Sequence, residues 1–218
     1  MFSKQLFPLY AACLSAQEKP VATFGTTVAI SSGLQGSLYL LKPGGEGLPN
    51  FKKMQPIGSI YATSPRVSTR SFDEGFPGVT DRFEWFAIDY TGRFWVDRPG
   101  IYRFRLLSDD GSKLYIDNEP RIDNDGTHEP QEIEGSAHFS RGVHRIRVAY
   151  FQGPRHQVAL VLSVAPQECG VWKIFDTNDY RPPLDPGEWL PGKLSNVKVR
   201  RVVHDLRLDL PANGSQGS

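Results

Sequence analysis

The residues best placed to do chemistry in this chain are Asp109 and Asp110, adjacent carboxylates followed by Gly111 and Ser112. They lie in the run LLSDDGSKLYIDNEPRIDNDG, residues 106–126, which sets six acidic side chains and two glycines between apolar flanks. On an extended trans backbone, neighbouring side chains point to opposite faces, so two adjacent carboxylates diverge. A cis peptide would turn both to one side. Gathered there without a counter-charge, they would repel, and one would hold its proton. A hard divalent cation would relieve that repulsion. Calcium, which collects roughly 6–8 oxygens from carboxylates, carbonyls and water, suits such a set. The same residues have a plainer use, because Asp-Gly is a routine turn signal.

The elements that must position this pair read as strands. GIYRFRLL alternates Tyr102, Phe104 and Leu106 against Arg103 and Arg105, and KLYIDNEPRI sets Leu114 and Ile116 on one face. GVHRIRVAYF alternates His144, Ile146, Val148 and Tyr150 with Arg145 and Arg147, and QVALVLSV does the same with Val158, Leu160, Leu162 and Val164. A period of two with one apolar side describes sheets covered on one face. Turn signals recur at Thr91-Gly92, Pro99-Gly100, Asp110-Gly111, Asp125-Gly126, Arg141-Gly142 and Gly153-Pro154. That spacing predicts an all-β chain, an antiparallel β-sandwich over residues 31–166. In its first part, SLYLLKPGGEGLPNFKKM and the residues up to Gly78 suggest one or two edge strands with long loops. After Pro166 the chain turns proline-rich and aperiodic, so 167–218 is expected to be an extension or linker ending in a flexible tail.

The 218 residues are 39% hydrophobic, enough for one core, and 25 basic against 24 acidic residues leave a net charge of +1. That balance excludes phosphate-backbone binding to nucleic acid. Residues 1–17 have the layout of a secretory signal peptide, with Lys4 ahead of an apolar run and charge resuming at Glu18. Tyr10-Ala11-Ala12-Cys13 makes a poor lipoprotein acceptor, and no stretch reaches the ~20 apolar residues of a membrane helix. The expected location is therefore secreted, periplasmic or cell-surface. Loss of the leader would leave Cys169 alone, and a Cys13–Cys169 bridge requires the leader to be kept.

Other chemistry fits poorly. Asp123, Asp125, Gly126 and Glu132 fall on positions of an EF-hand loop, but its first position is Arg121 and the flanks are strand-like. The histidines His128, His138, His144, His156 and His204 are scattered. Asp123–Gly126 reads instead as a hairpin turn, with Asp117 bracing the acidic turn nearby. Trp85, Phe86, Tyr90, Phe94 and Trp95 fit core filling better than sugar stacking, whereas Tyr150 or Phe151 could reach a ligand. No nucleophile elbow, phosphate loop or zinc-protease motif occurs, and adjacent carboxylates cannot face each other across a sugar as a glycosidase pair must. We therefore expect no catalysis.

One pattern goes further. Gly100, Tyr102, Phe104, Leu106, Ser108, Asp109, Asp110, Gly111, Ser112, Leu114, Ile116 and Asp117 together resemble the core motif of the protective-antigen-type domain. That family is found in yeast flocculins and adhesins, glycosidases and bacterial surface proteins. The resemblance implies a β-sandwich in which a cis Asp-Asp pair binds calcium, and calcium binds the vicinal hydroxyls of a sugar. Carried over, Asp109 and Asp110 are the metal ligands. A later loop supplies an Asn or Gln amide and carbonyls. Here that loop is QGPRHQ, where Gln152 or Gln157 could supply the amide in the absence of asparagine. Arg155 and His156 could bond the sugar. The expectation is an exported, calcium-dependent, lectin-like adhesin module with a glycan partner, possessing further domains of a larger surface protein as possible neighbours. The alternative is a structural or protein-interaction module of such a protein.

Overall fold

The computed structural model of the chain describes residues 33–79 and 82–182. The leader 1–17, Cys13, and the basic run Lys198, Arg200 and Arg201 lie outside the described residues.

Two antiparallel sheets face each other. The strands are β1 (Leu34–Leu40), β2 (Gly58–Ala62), β3 (Arg66–Ser71), β4 (Phe86–Val96), β5 (Gly100–Asp109), β6 (Ser112–Ile116), β7 (Glu119–Asn124), β8 (Gln131–Phe139), β9 (Gly142–Gln152), β10 (Gln157–Pro166) and β11 (Lys173–Ile174). One sheet runs β2-β1-β4-β9-β6-β7; the other runs β11-β10-β5-β8, with β3 also paired to β10. The sandwich is thus the one the alternation predicts. The inward row of β9, Ile146, Val148 and Tyr150, meets that of β10, Val158, Leu160, Leu162 and Val164, in one core. Each such side chain removed from water contributes about 1.5–3 kcal/mol.

Successive strands mostly change sheets, and this corrects several local readings. Thr91-Gly92 is not a turn: β4 runs straight through it, paired to β9 from Phe86 to Val96. Gly92 is there for closeness, since a Cβ would stand 2.6 Å from Leu34 Cδ2. Asp125-Gly126 closes no hairpin, because it leads from β7 in one sheet to β8 in the other. The hairpin is β6–β7, turned at Asp117 (φ 53°) and Asn118 (φ 71°), the left-handed pair a two-residue I′ turn needs. β1 is not an edge strand, since it lies between β2 and β4.

Past Pro166 the chain stays on the sandwich. β11 pairs with β10, and Phe175, fully buried, packs edge-on against Phe94 and stacks on Tyr180. Cys169, in the turn after β10, is disulfide-bonded.

Candidate functional site

Three connections between the sheets converge at one end of the sandwich. They are the Asp109–Ser112 step from β5 to β6, the loop from β7 to β8 carrying His128, and the Gly153–His156 loop from β9 to β10. The inward rows of the strands feeding them turn polar there. Ser108 follows Leu106, Ser112 precedes Leu114, Asn124 follows Ile122, and Gln152 follows Tyr150; all four are buried. The Ser108 and Ser112 hydroxyls lie 2.7 Å apart, and Asn124 Nδ2 donates to Ser108 Oγ at 3.0 Å and to the Gln131 carbonyl at 3.0 Å. This network ties both sheets together beneath the acidic turn.

Asp109 and Asp110 are joined by a cis peptide and expose no surface. Their surroundings differ. Asp110 is well supplied: its Oδ2 accepts from Gly153 N at 2.7 Å and from Gln152 Nε2 at 3.4 Å, and its Oδ1 accepts from His128 N at 3.2 Å. Asp109 has no hydrogen-bond partner on either side-chain oxygen. Burial first, then the charge of Asp110, pushes the Asp109 carboxyl up to about 6. The nearby Gln152 amide and the His156 and His128 charges work the other way, without closing a hydrogen bond to it. Asp110 is raised by burial as well, against the pull of the Gly153 and His128 N–H groups. A carboxylate buried with no donor is costly unless neutralised or paired, and here nothing in the protein pairs Asp109.

Glycines let the three segments meet. A Cβ on Gly111 would stand 2.5 Å from Phe151 Cε1 and 2.8 Å from Gly126 N, and one on Gly153 would press on Phe151 and Asp110. Phe151 N in turn donates to the Gly111 carbonyl at 2.9 Å.

The remaining sequence candidates separate clearly. Gln152 reaches the pair with its side chain, which also donates to the Gln157 carbonyl at 3.0 Å. Gln157, the first residue of β10, therefore comes to the site through its main chain, and the residue is otherwise exposed. Arg155 is turned to Asp73 and lies over the Phe72 ring. His156 is exposed on the same loop, close enough for its charge to act on both aspartates. Tyr150 and Phe151 are both completely buried. The Tyr150 hydroxyl, however, lies 2.7 Å from the Asp109 carbonyl oxygen and 2.5 Å from Gln152 Oε1. Asp117 does not brace the acidic turn; at the opposite end of β6 it accepts from His144 Nδ1 and Arg145 N. The acidic residues of the apparent EF-hand are spent on cations, Asp123 and Asp125 on Lys113 and Glu132 on Arg105.

Sequence reading gave no site role to His128, Ser108, Ser112 or Asn124. For Ser108, Ser112 and Asn124 the signal was a polar residue at an inward strand position; His128, in the loop from β7 to β8, carried none.

The PA14 domain family matches residues 33–176. The chain belongs to that family. No curated protein sequence matches it. Among solved structures this PA14 domain is similar to the PA14 domain of the MpAFP antifreeze protein, at 15% identity and TM-score 0.57, covering 72% of this chain and 94% of that one. It is also similar to a PA14 sugar-binding domain from an RTX adhesin, at 20% identity and TM-score 0.56, covering 67% and 96%. A third is the Epithelial Adhesin 9 A domain of Candida glabrata in complex with Galb1-3GlcNAc, at 15% identity and TM-score 0.50, covering 68% and 88%. These likenesses establish the shared fold of the PA14 domain. Among the described residues, no group of three or more His, Cys, Asp or Glu side chains is gathered for a metal. A cation at the acidic turn of this PA14 domain would rest on two aspartates, one amide and main-chain oxygens.

Proposed function

We propose that this PA14 domain is an exported, non-catalytic, calcium-dependent carbohydrate-binding module of adhesin type, with Asp109 and Asp110 as its metal-holding pair. The observation that carries this reading is the Asp109 carboxylate, fully buried with both oxygens unmet and set beside a second buried carboxylate. An all-oxygen set of two carboxylates, an amide and loop carbonyls is the donor chemistry calcium takes. When bound, calcium supplies open coordination positions that vicinal sugar hydroxyls can fill.

The chain's own residues do the rest. Gly153 and His128 fix Asp110 with backbone N–H groups, so the pair is oriented before any ligand arrives. Gln152 is the amide ligand: its nitrogen faces Asp110 and its oxygen faces Tyr150, and turning the amide over would bring the oxygen toward the metal-holding pair. The Gln157 carbonyl joins it from the loop. His156 stands at the open side, where it can donate to a sugar. Arg155, held by Asp73, shapes the rim rather than the floor. The sugar-binding and sugar-bound proteins of the same fold support this reading. A single such site binds weakly, so adhesion would rest on several copies acting together.

A specific observation favours the alternative of a purely structural turn: Asp110 already satisfies three donors and laces three loops together. Calorimetric titration of calcium into chelator-treated protein separates the two, followed by a glycan array with calcium and with EDTA. Saturable calcium binding and calcium-dependent glycan signals support the lectin reading. Their absence leaves the structural one.

A further inference from the structure

A second site lies away from the acidic turn, on the outer face of the β4–β9–β6 sheet. Thr91, Arg93, Tyr115, Asn118, Arg145 and Arg147 line a groove of about 400 Å³, within the size range of small-ligand sites. Three of these residues are arginines, and no acidic residue lines the groove. Arg93 and Arg145 stand directly opposite each other across β4 and β9. Like charges in that position destabilise a sheet. Neither guanidinium makes an ion pair or hydrogen bond among the described residues; Arg145 meets Asp117 through its backbone alone, its N–H donating to the carboxylate and its carbonyl accepting from Asp117 N. Arg147 is anchored through Nε to Asp89 at 2.6 Å and lies over the Tyr115 ring, 5.0 Å from its centroid. Asn118 is fixed at the groove by the β6–β7 turn. With a net charge of only +1 on the chain, this concentration is local.

We propose that this groove binds an acidic sugar chain through its sulfate or carboxylate groups. Two unpaired guanidinium forks match an oxyanion bidentately. Tyr115, Asn118 and Thr91 add an aromatic edge and neutral hydrogen-bonding groups suited to a saccharide ring. Nucleic acid is disfavoured by the chain's balanced charge. The groove is independent of the metal site: Arg147 and Gln152 are five residues apart on β9, roughly 17 Å at the usual strand rise.

The test titrates the full chain in EDTA at low salt, so that the outcome does not depend on the acidic turn. The probes are a heparin tetrasaccharide, a polygalacturonate tetrasaccharide, a neutral tetrasaccharide and a tetraglutamate peptide. Saturable binding of either acidic sugar, weakening with salt, is expected, and whichever binds tells sulfate from carboxylate. The double variant Arg93→Gln/Arg145→Gln should weaken it at least about tenfold. That variant should melt no lower than wild type, since it removes a repulsion. Equal binding by the variant, equal binding of the neutral sugar or the peptide, or a clear fall in melting temperature would each overturn the proposal.

Discussion

The Tyr150 hydroxyl lies 2.5 Å from Gln152 Oε1 and also 2.7 Å from the Asp109 carbonyl oxygen, two acceptors for its one proton. Turning the Gln152 amide over resolves this conflict. Its nitrogen would donate to the Tyr150 oxygen, the Tyr150 proton would go to the Asp109 carbonyl, and the amide oxygen would face Asp110 and the Gln157 carbonyl. Three oxygens in contact need a cation among them. The Tyr150 hydroxyl is therefore a positioning group that sets which way Gln152 faces. Burial, with the charges of Asp109 and Asp110, raises its pKa well above the ordinary value, so it stays a donor throughout the physiological range.

Tyr150→Phe follows from that geometry. The variant keeps the ring packing against Phe76 and Phe86 and loses only the hydroxyl. We expect about 1–2 kcal/mol less stability in EDTA from the unmet buried carbonyl, and a calcium affinity lowered about tenfold by a Gln152 free to face either way. Chemical denaturation and calcium titration of the two proteins read both effects. Unchanged calcium affinity would remove Tyr150 from the site.

Asp109→Asn separates a metal ligand from a turn residue. An amide here carries no buried charge and can donate to Asp110, so the variant should be at least as stable as wild type in EDTA. The rise in melting temperature that calcium gives wild type should vanish in the variant. If the structural reading holds, calcium shifts neither melt.

Much of this was legible in the chain. The period-two rows of β5, β9 and β10 marked the sandwich, and the string from Gly100 to Asp117 marked the acidic turn. What misled were the turn dipeptides. Thr91-Gly92 carries a turn signal, yet its glycine serves the close approach of Leu34 inside a continuous strand. Asp125-Gly126 serves a crossing between sheets, which local chemistry does not distinguish from a hairpin. Gln157 and Arg155 were read as side-chain candidates, but a one-residue period cannot tell a carbonyl that enters a site from a side chain that leaves it. Asp73 and Phe72, which capture Arg155, are over 80 positions away in sequence, too far for any local pattern to connect.

Phe175→Ala tests whether the segment after Pro166 is part of the folding unit. Its ring is fully buried and packs on Phe94 and Tyr180. Truncation should cost about 3–5 kcal/mol, read by urea unfolding. A loss below about 1 kcal/mol would mean that the segment merely rests on the sandwich.

The pH dependence has a definite sign. The Asp109 carboxyl is raised from 3.8 to about 6 in the native state, chiefly by burial and by Asp110, which shifts upward with it. A raised native value means that the native protein holds a proton the unfolded chain has released. The resulting stabilisation is complete below about 4 and lost as pH rises through about 6. In EDTA, this pair should therefore raise the melting temperature as pH falls from about 7 to about 5. With calcium in excess the same protons compete with the metal, so its stabilising effect should shrink over that interval. The two melting curves, with EDTA and with calcium, should converge as the solution is acidified. Curves that stay equally far apart from about pH 7 to about pH 5 would show that Asp109 does not couple proton binding to metal binding.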